Sequence, residues 1–260
     1  MSESAISAAA EALLAASRTG RPTEPLVTRW PGLDVRDAYQ VQQRVVAARV
    51  AAGATLVGHK IGLTSAAMQE MLGIDQPDYG QLLSDMRVPD GGVVPAARFL
   101  APRAEIEIAF VLRERLRGPG ITREDVLAAT ATVHAAIEII DSRVLDWRIG
   151  FVDTVADNAS SGAFVISEDG VDPTGLDLAS IDGTLDHNGQ MVAEGSGAAV
   201  LGHPALAVAW LANALADWDT ALEPGHVVLS GACTKAVPVV AGDVVRGRFG
   251  VLGPVSVTFG

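Results

Sequence analysis

The chain has 260 residues, 49% of them hydrophobic, with 19 Lys and Arg against 31 Asp and Glu and a formal net charge of −12. That length suits one large core, or one domain with a smaller helical addition. An acidic balance without a basic cluster argues against nucleic acid and anionic membrane surfaces as partners, and a single cysteine, Cys233, rules out an internal disulfide and points to the reducing cytoplasm.

The opening "MSESAISAAAEALLAAS" is alanine-rich with leucines at helical spacing. It carries Glu3 and Glu11 and no basic leader, so it reads as a helix and not as a signal peptide. "PGLDVRDAYQVQQRVVAARVAAG" predicts a second helix. Asp34 is its N-cap, Val35, Tyr39, Val46 and Val50 form its apolar stripe, Gln42 interrupts that stripe and Gly53 stops it. Beyond Gly53 short apolar runs alternate with Gly, Pro and Asp turns. "TLVGHKIGL", "GVVPAARFLAP", "AEIEIAFVL", "HAAIEIID", "SGAFVIS", "SIDGTLDHNGQMVAEG", "HVVLSGA" and "DVVRGRFGVLGPVSVTF" read as strands and hairpins. Asn188-Gly189 is a two-residue hairpin turn.

Two helices interrupt these strands. "TREDVLAAT" opens with a Thr122–Asp125 capping box, and "HPALAVAWLANALADW" has Pro204 at its first position. From Gly195 to Ala216 no residue is charged, nearly a membrane-spanning length. Gly202-His203-Pro204 breaks that stretch, which therefore reads as a loop and a buried helix. The expected architecture is α+β, with an N-terminal helical segment over 1–55 and a sheet-rich body over 56–260.

The chemistry concentrates in a few stretches. In "APRAEIEIAFVL" the alternation of a strand puts Glu105 and Glu107 on one face and Ile106 and Ile108 on the other. With Glu138 in "HAAIEIIDSR", three acids lie among apolar strand residues. They form either a site for a hard divalent cation such as Mg²⁺ or Mn²⁺ or an ordinary solvent-facing edge. No His or Cys sits at zinc-ligand spacing. Lys60, framed by glycines in "GHKIGLTS", is either a desolvated acid–base or carboxylate anchor, or a snorkelling surface lysine. "DSRVLDWRIGFVDTVADNASSG" holds Asp141, Arg143, Asp146, Arg148, Asp153, Asp157, Asn158, Ser160 and Ser161. It is either organised around something or a solvated loop with local turns. His59 and His203 read as satisfied or capping histidines, and Cys233 as a small buried residue.

"GHKIGLTSAAMQEMLGIDQPDYGQLLSDM", "PRAEIEIAFVL", "AIEIIDSRVLDWRIGFVDTVADNASSG", "GSGAAVLGHPALAVAWLAN" and "LSGACTKAVPVVAGD" together resemble the 2-keto-4-pentenoate hydratase / 4-oxalocrotonate decarboxylase family, part of the fumarylacetoacetate hydrolase-like superfamily. The resemblance runs from about Leu33 to the end of the chain. It implies a mixed β-sheet roll of the fumarylacetoacetate hydrolase C-terminal type that binds Mg²⁺ or Mn²⁺ through Glu105, Glu107 and Glu138. It also implies Lys60 as the active-site lysine, Asp78 as the acid of "QPDYG", Ser160 as the serine of "ADNAS" and Thr234 as a substrate-binding residue.

The activity implied is hydration of a 2-hydroxy-2,4-dienoate to a 4-hydroxy-2-oxo acid in ring meta-cleavage catabolism. The stretch "RVLDWRIGFVDTVADNAS" favours it over decarboxylation of 4-oxalocrotonate. A non-catalytic partner subunit is a third reading, opposed by the intact carboxylate trio and Lys60. A cytoplasmic homo-oligomer, with a downstream aldolase or sister enzyme as a possible partner, completes these expectations. No dinucleotide fingerprint follows a strand and opens a helix, so no organic cofactor is expected.

Overall fold

The computed structural model describes residues 1–65, 69–70 and 73–260, so part of the first motif, at 66–68 and 71–72, lies outside the described residues. Helices Glu3–Thr19 and Val35–Ala51 lead the chain. Asp34 caps the second by accepting from Asp37 N at 2.8 Å. Its buried side runs through Ala38, Val41, Gln42 and Val46. Val50, expected on the apolar stripe, is 44% exposed, because it sits in the last turn, past the surface that the helix covers.

The strands are β1 (Leu56–Gly62), β2 (Asp78–Leu83), β3 (Val93–Val94), β4 (Arg103–Leu112), β5 (Thr130–Ile140), β6 (Ser161–Ile166), β7 (Asp182–His187), β8 (Gln190–Ser196), β9 (Val227–Ala232), β10 (Val237–Pro238), β11 (Val244–Phe249) and β12 (Gly253–Phe259). One sheet runs β2-β1-β9-β4-β5-β6 with β10 on β4, and a second runs β3-β12-β11-β7-β8. β1 is parallel to β9 and β12 to β3; the other pairings are antiparallel. This is the mixed-sheet α+β architecture expected. Asn188 (φ 54°) and Gly189 (φ 81°) join β7 to β8 as a two-residue turn.

The two faces of the first sheet have different partners. Ile106, Ile108, Ile137 and Ile139 join Val245, Phe249, Val255 and Val257 of the second sheet in one core. The opposite face carries Ala109, Ala136, Phe164 and Leu229, packed with Val46 of the second helix and Leu82 and Leu83 of β2. Glu105, Glu107 and Glu138 share this second face by alternation.

Helix Phe151–Ala156 joins the N-terminal helices in a further cluster through Val155 and Ala156. Gln42, the polar interruption on its helix, donates to Tyr79 O (2.9 Å) and Val155 O (2.8 Å), tying helix, β2 and the 151–156 segment together. The apolar stretch Gly197–Trp218 is long and apolar enough to cross a membrane, by length and composition alone. Leu201 and Gly202 adopt left-handed conformations within it. The regular helix, Pro204–Ala214, buries Ala205, Ala207, Val208, Leu211 and Ala212 in the core. His203 caps it, its Nδ1 accepting from Ala205 N at 3.1 Å.

Candidate active site

Strand pairing builds the acid cluster. Glu105 on β4 stands directly opposite Glu138 on β5, and Glu107 lies two residues further along β4. One carboxylate oxygen from each of the three lies within 4.8 Å of the others. Glu107 and Glu138 are fully buried, and Glu105 is half-buried. An exposed edge is thereby ruled out. Three carboxylates crowded in a low-dielectric interior repel one another and are costly to ionise. Burial, then the neighbouring Glu138, pushes the Glu105 carboxyl up to about 8. Burial, then Glu138 and Glu105, holds Glu107 well above the usual carboxylate range. Glu138 is also raised by burial, against the pull of Lys60 and of the Ser161 hydroxyl.

Lys60 is 3% exposed, which excludes a snorkelling side chain. Its ammonium stands 3.2 Å from Glu138 Oε2 and donates to Ala159 O at 3.0 Å. Burial disfavours the ammonium, but Glu138, Asp78, Glu105 and Glu107 together outweigh it and hold Lys60 above its ordinary range. Asp78 is 1% exposed and is raised by burial, against Lys60 and the Thr154 hydroxyl. Its Oδ2 accepts from Thr154 Oγ1 at 3.0 Å.

Within the polar stretch, 141–144 and 151–161 form a mostly buried scaffold, whereas Asp146 and Arg148 are exposed. Arg143 donates through Nε to Asp157 Oδ1 (2.6 Å), through Nη1 to Asp141 O and Ser161 O, and through Nη2 to Asp157 O. The Asp141 carboxylate accepts from Leu100 N and Ala101 N, and Asp153 accepts from Leu26 N and Gly150 N. This network holds Asn158, Ala159 and Ser160 at φ 55°, 50° and 53°. Three consecutive left-handed non-glycine residues cost on the order of 1–3 kcal/mol each. Their arrangement turns the Ala159 carbonyl toward Lys60 and lets the Asn158 amide pair with both backbone groups of Gln81. Gly80 permits that approach, since a Cβ there would overlap Asn158 O.

The expected residues are not all placed alike. Ser160 is buried and its hydroxyl makes no hydrogen bond among the described residues. The hydroxyl that reaches the acid cluster is that of Ser161, which donates to Glu138 Oε1 at 2.8 Å. Sequence reading missed it because two serines stand side by side; pairing of β6 with β5 is the signal that separates them. Thr234 lies just past β9, its hydroxyl buried and without a hydrogen-bond partner among the described residues. His59 packs beside His226, ring centroids 5.8 Å apart, and burial, then His226, lowers it to about 3. Burial raises the Cys233 thiol, in keeping with an inert small residue.

Glu107 Oε2 accepts from Gly231 N at 2.7 Å, while Glu107 Oε1 and Glu138 Oε2 have no hydrogen-bond partner among the described residues. The Lys60 ammonium is within ion-pair distance of the latter without hydrogen-bond alignment. Carboxylate oxygens from three residues within 4.8 Å of one another, beside a buried Glu107 Oε1 without a hydrogen-bond partner among the described residues, are what a hard divalent cation takes as ligands. The residues present fit such an ion.

The chain is 48% identical over 233 residues to the 2-hydroxyhexa-2,4-dienoate hydratase of Comamonas testosteroni, covering 89% of this chain and 88% of that one. It is 41% identical over 251 residues to the 2-keto-4-pentenoate hydratase of Paraburkholderia xenovorans, covering 96% and 93%. The solved 4-oxalocrotonate decarboxylase of Pseudomonas putida G7, complexed with magnesium and adipate, superposes with a TM-score of 0.96 at 37% identity, covering 100% and 98%. Residues 60–259, most of the chain, match the fumarylacetoacetate (FAA) hydrolase C-terminal family, to which this chain belongs.

Proposed function

We propose that the chain is a divalent-metal-dependent hydro-lyase that converts a 2-hydroxypenta-2,4-dienoate type substrate into a 4-hydroxy-2-oxo acid. The observation that supports it most is the buried ammonium of Lys60, 3.2 Å from Oε2 of Glu138, one of three glutamates whose carboxylates converge. Hydration is preferred to decarboxylation because the relatives at 48% and 41% identity are hydratases.

Glu105, Glu107 and Glu138 would hold Mg²⁺ or Mn²⁺. When bound, the ion supplies Lewis acidity toward the carboxylate and 2-oxo oxygens of a 2-oxo acid. Lys60 is oriented by the Ala159 carbonyl, so its side chain can bind the substrate carboxylate or move a proton. Burial of the cluster keeps bulk water away and strengthens each of these interactions.

The reaction has two stages. The dienol loses its hydroxyl proton and gains one at C5, giving a 2-oxo-3-enoate. Water then adds across C3 and C4, with oxygen to C4 and a proton to C3, and no net redox change. The water must be oriented by an acceptor within hydrogen-bond reach. Asp78, with Oδ1 unpartnered, is our assignment for that role. Ser160 and Thr234, whose buried hydroxyls also lack partners, are assigned to the substrate.

A 4-hydroxy-2-oxo acid is suited to carbon–carbon cleavage by an aldolase, which supports a pathway partner of that class; a homo-oligomeric, cytoplasmic enzyme is part of the same proposal. The test is to supply 2-hydroxypenta-2,4-dienoate and 4-oxalocrotonate in parallel and identify the products. A 4-hydroxy-2-oxo acid from the dienoate supports the proposal. CO₂ release from oxalocrotonate with the dienoate untouched would establish the decarboxylase instead.

A further inference from the structure

We infer that Thr154 is a positioning residue of the reaction: its hydroxyl fixes the Asp78 carboxylate through Oδ2 and leaves Oδ1 alone to take a hydrogen bond from water beside Lys60. The inference rests on the reading of Asp78 as the group that orients water.

Asp78 Oδ2 accepts from Thr154 Oγ1 at 3.0 Å, whereas Oδ1 is buried with no aligned hydrogen-bond partner among the described residues, although the Gly62 backbone N–H also favours the ionised carboxylate. A Cβ at Gly62 would overlap Oδ1 and lie 3.2 Å from Lys60 Nζ. The missing side chain at Gly62 thus lets the free carboxylate oxygen and the ammonium share one space. A threonine inside a helix commonly bonds back to the carbonyl one turn earlier. Here that carbonyl, Gly150 O, accepts the Thr154 N–H at 3.1 Å, and the hydroxyl reaches across to β2 instead.

The partners are held together by a second link. Gln42 Nε2 donates to Tyr79 O and Val155 O, the residues that directly follow Asp78 and Thr154. Asp153, just before Thr154, anchors the same helix by accepting from Leu26 N and Gly150 N. Hydroxyl and carboxylate therefore stand on segments tied to each other by Gln42. An ionised carboxylate accepts at both oxygens and can turn about its terminal torsion. Tethering one oxygen selects one orientation, an effect on geometry and so on kcat more than on KM.

The experiment uses the full chain loaded with Mn²⁺ and the dienoate. Thr154→Val keeps the β-branched shape and removes the hydroxyl; it should lower kcat about 10-fold or more while KM stays within about twofold. Thr154→Ser should return kcat to within about threefold of the parent. Asp78→Ala should lower kcat at least as far as Thr154→Val. The double variant should be no slower than Asp78→Ala alone, because the hydroxyl then has nothing to orient. Mn²⁺ affinity by calorimetry should be unchanged in Thr154→Val.

An unchanged kcat in Thr154→Val, additive losses in the double variant or a parallel loss of Mn²⁺ affinity would overturn the inference and leave the Asp78 reading standing. An unchanged kcat in Asp78→Ala would overturn both. Should Thr154→Val fail to fold, Thr154→Ala against Thr154→Ser makes the same comparison, and equal rates in that pair overturn the inference.

Discussion

At the scale of single residues, the site is governed by charge that the protein interior cannot solvate. Lys60→Ala removes the ammonium 3.2 Å from Glu138 Oε2. With the dienoate, kcat should fall about 100-fold or more, the scale of a lost acid–base group. A rise in KM alone would make Lys60 a carboxylate anchor.

The glutamates yield a pH dependence with a definite sign. The folded Glu105 carboxyl is raised to about 8 from an ordinary 4.5, so the folded chain binds that proton more tightly than the unfolded chain. The resulting stability is fully present below the unfolded value and is lost as pH rises through about 8. In EDTA the Tm should therefore fall between about pH 5 and pH 9, with Glu107 and Glu138 acting in the same direction. Mg²⁺ replaces those protons, so thermal melts with the ion should flatten or reverse that slope. A flat Tm profile in EDTA would contradict the charge arrangement described. Glu107→Gln should weaken Mg²⁺ binding while leaving the metal-free chain folded, as calorimetry and circular dichroism would report.

At the scale of elements, the strands that carry the acids were the most legible part of the sequence. Alternation alone placed Glu105 and Glu107 on one face, because β4 is regular and Ile106 and Ile108 meet the second sheet. Turn and cap chemistry at Asn188-Gly189, Thr122 and Asp34 was legible for the same local reason. β2, beginning at Asp78, was missed; its "DYGQLL" has no clear period, being covered on both faces. Helix Phe151–Ala156 was missed because its polar residues serve partners distant in the chain, Leu26 for Asp153 and Asp78 for Thr154. No local pattern announces such bonds.

The left-handed turn 158–160 depends on these long-range contacts, so it should yield to a change on β2. Gly80→Ala would press a methyl against Asn158 O. It should cost about 1–3 kcal/mol in denaturant melts. It should also reduce turnover by displacing the carbonyl that orients Lys60. Unaltered stability and turnover would show that the loop accommodates the methyl and that its strained turn is not needed.

At the scale of the whole molecule, the two sheets divide the work. One face of the first sheet is given to the core shared with the second sheet, and the other to an acid cluster flanked by Lys60 and Ser161, beside the apolar patch that packs on Val46 of the second helix. The central claim is that this enclosed cluster adds water to a dienoate with the help of a divalent ion. The most direct test is turnover of 2-hydroxypenta-2,4-dienoate in H₂¹⁸O, with and without Mg²⁺, followed by mass analysis of the product. The account predicts ¹⁸O in the C4 hydroxyl of a 4-hydroxy-2-oxo acid, formed only when Mg²⁺ or Mn²⁺ is present. Equal turnover after rigorous chelation, or a product without label at C4, would contradict it.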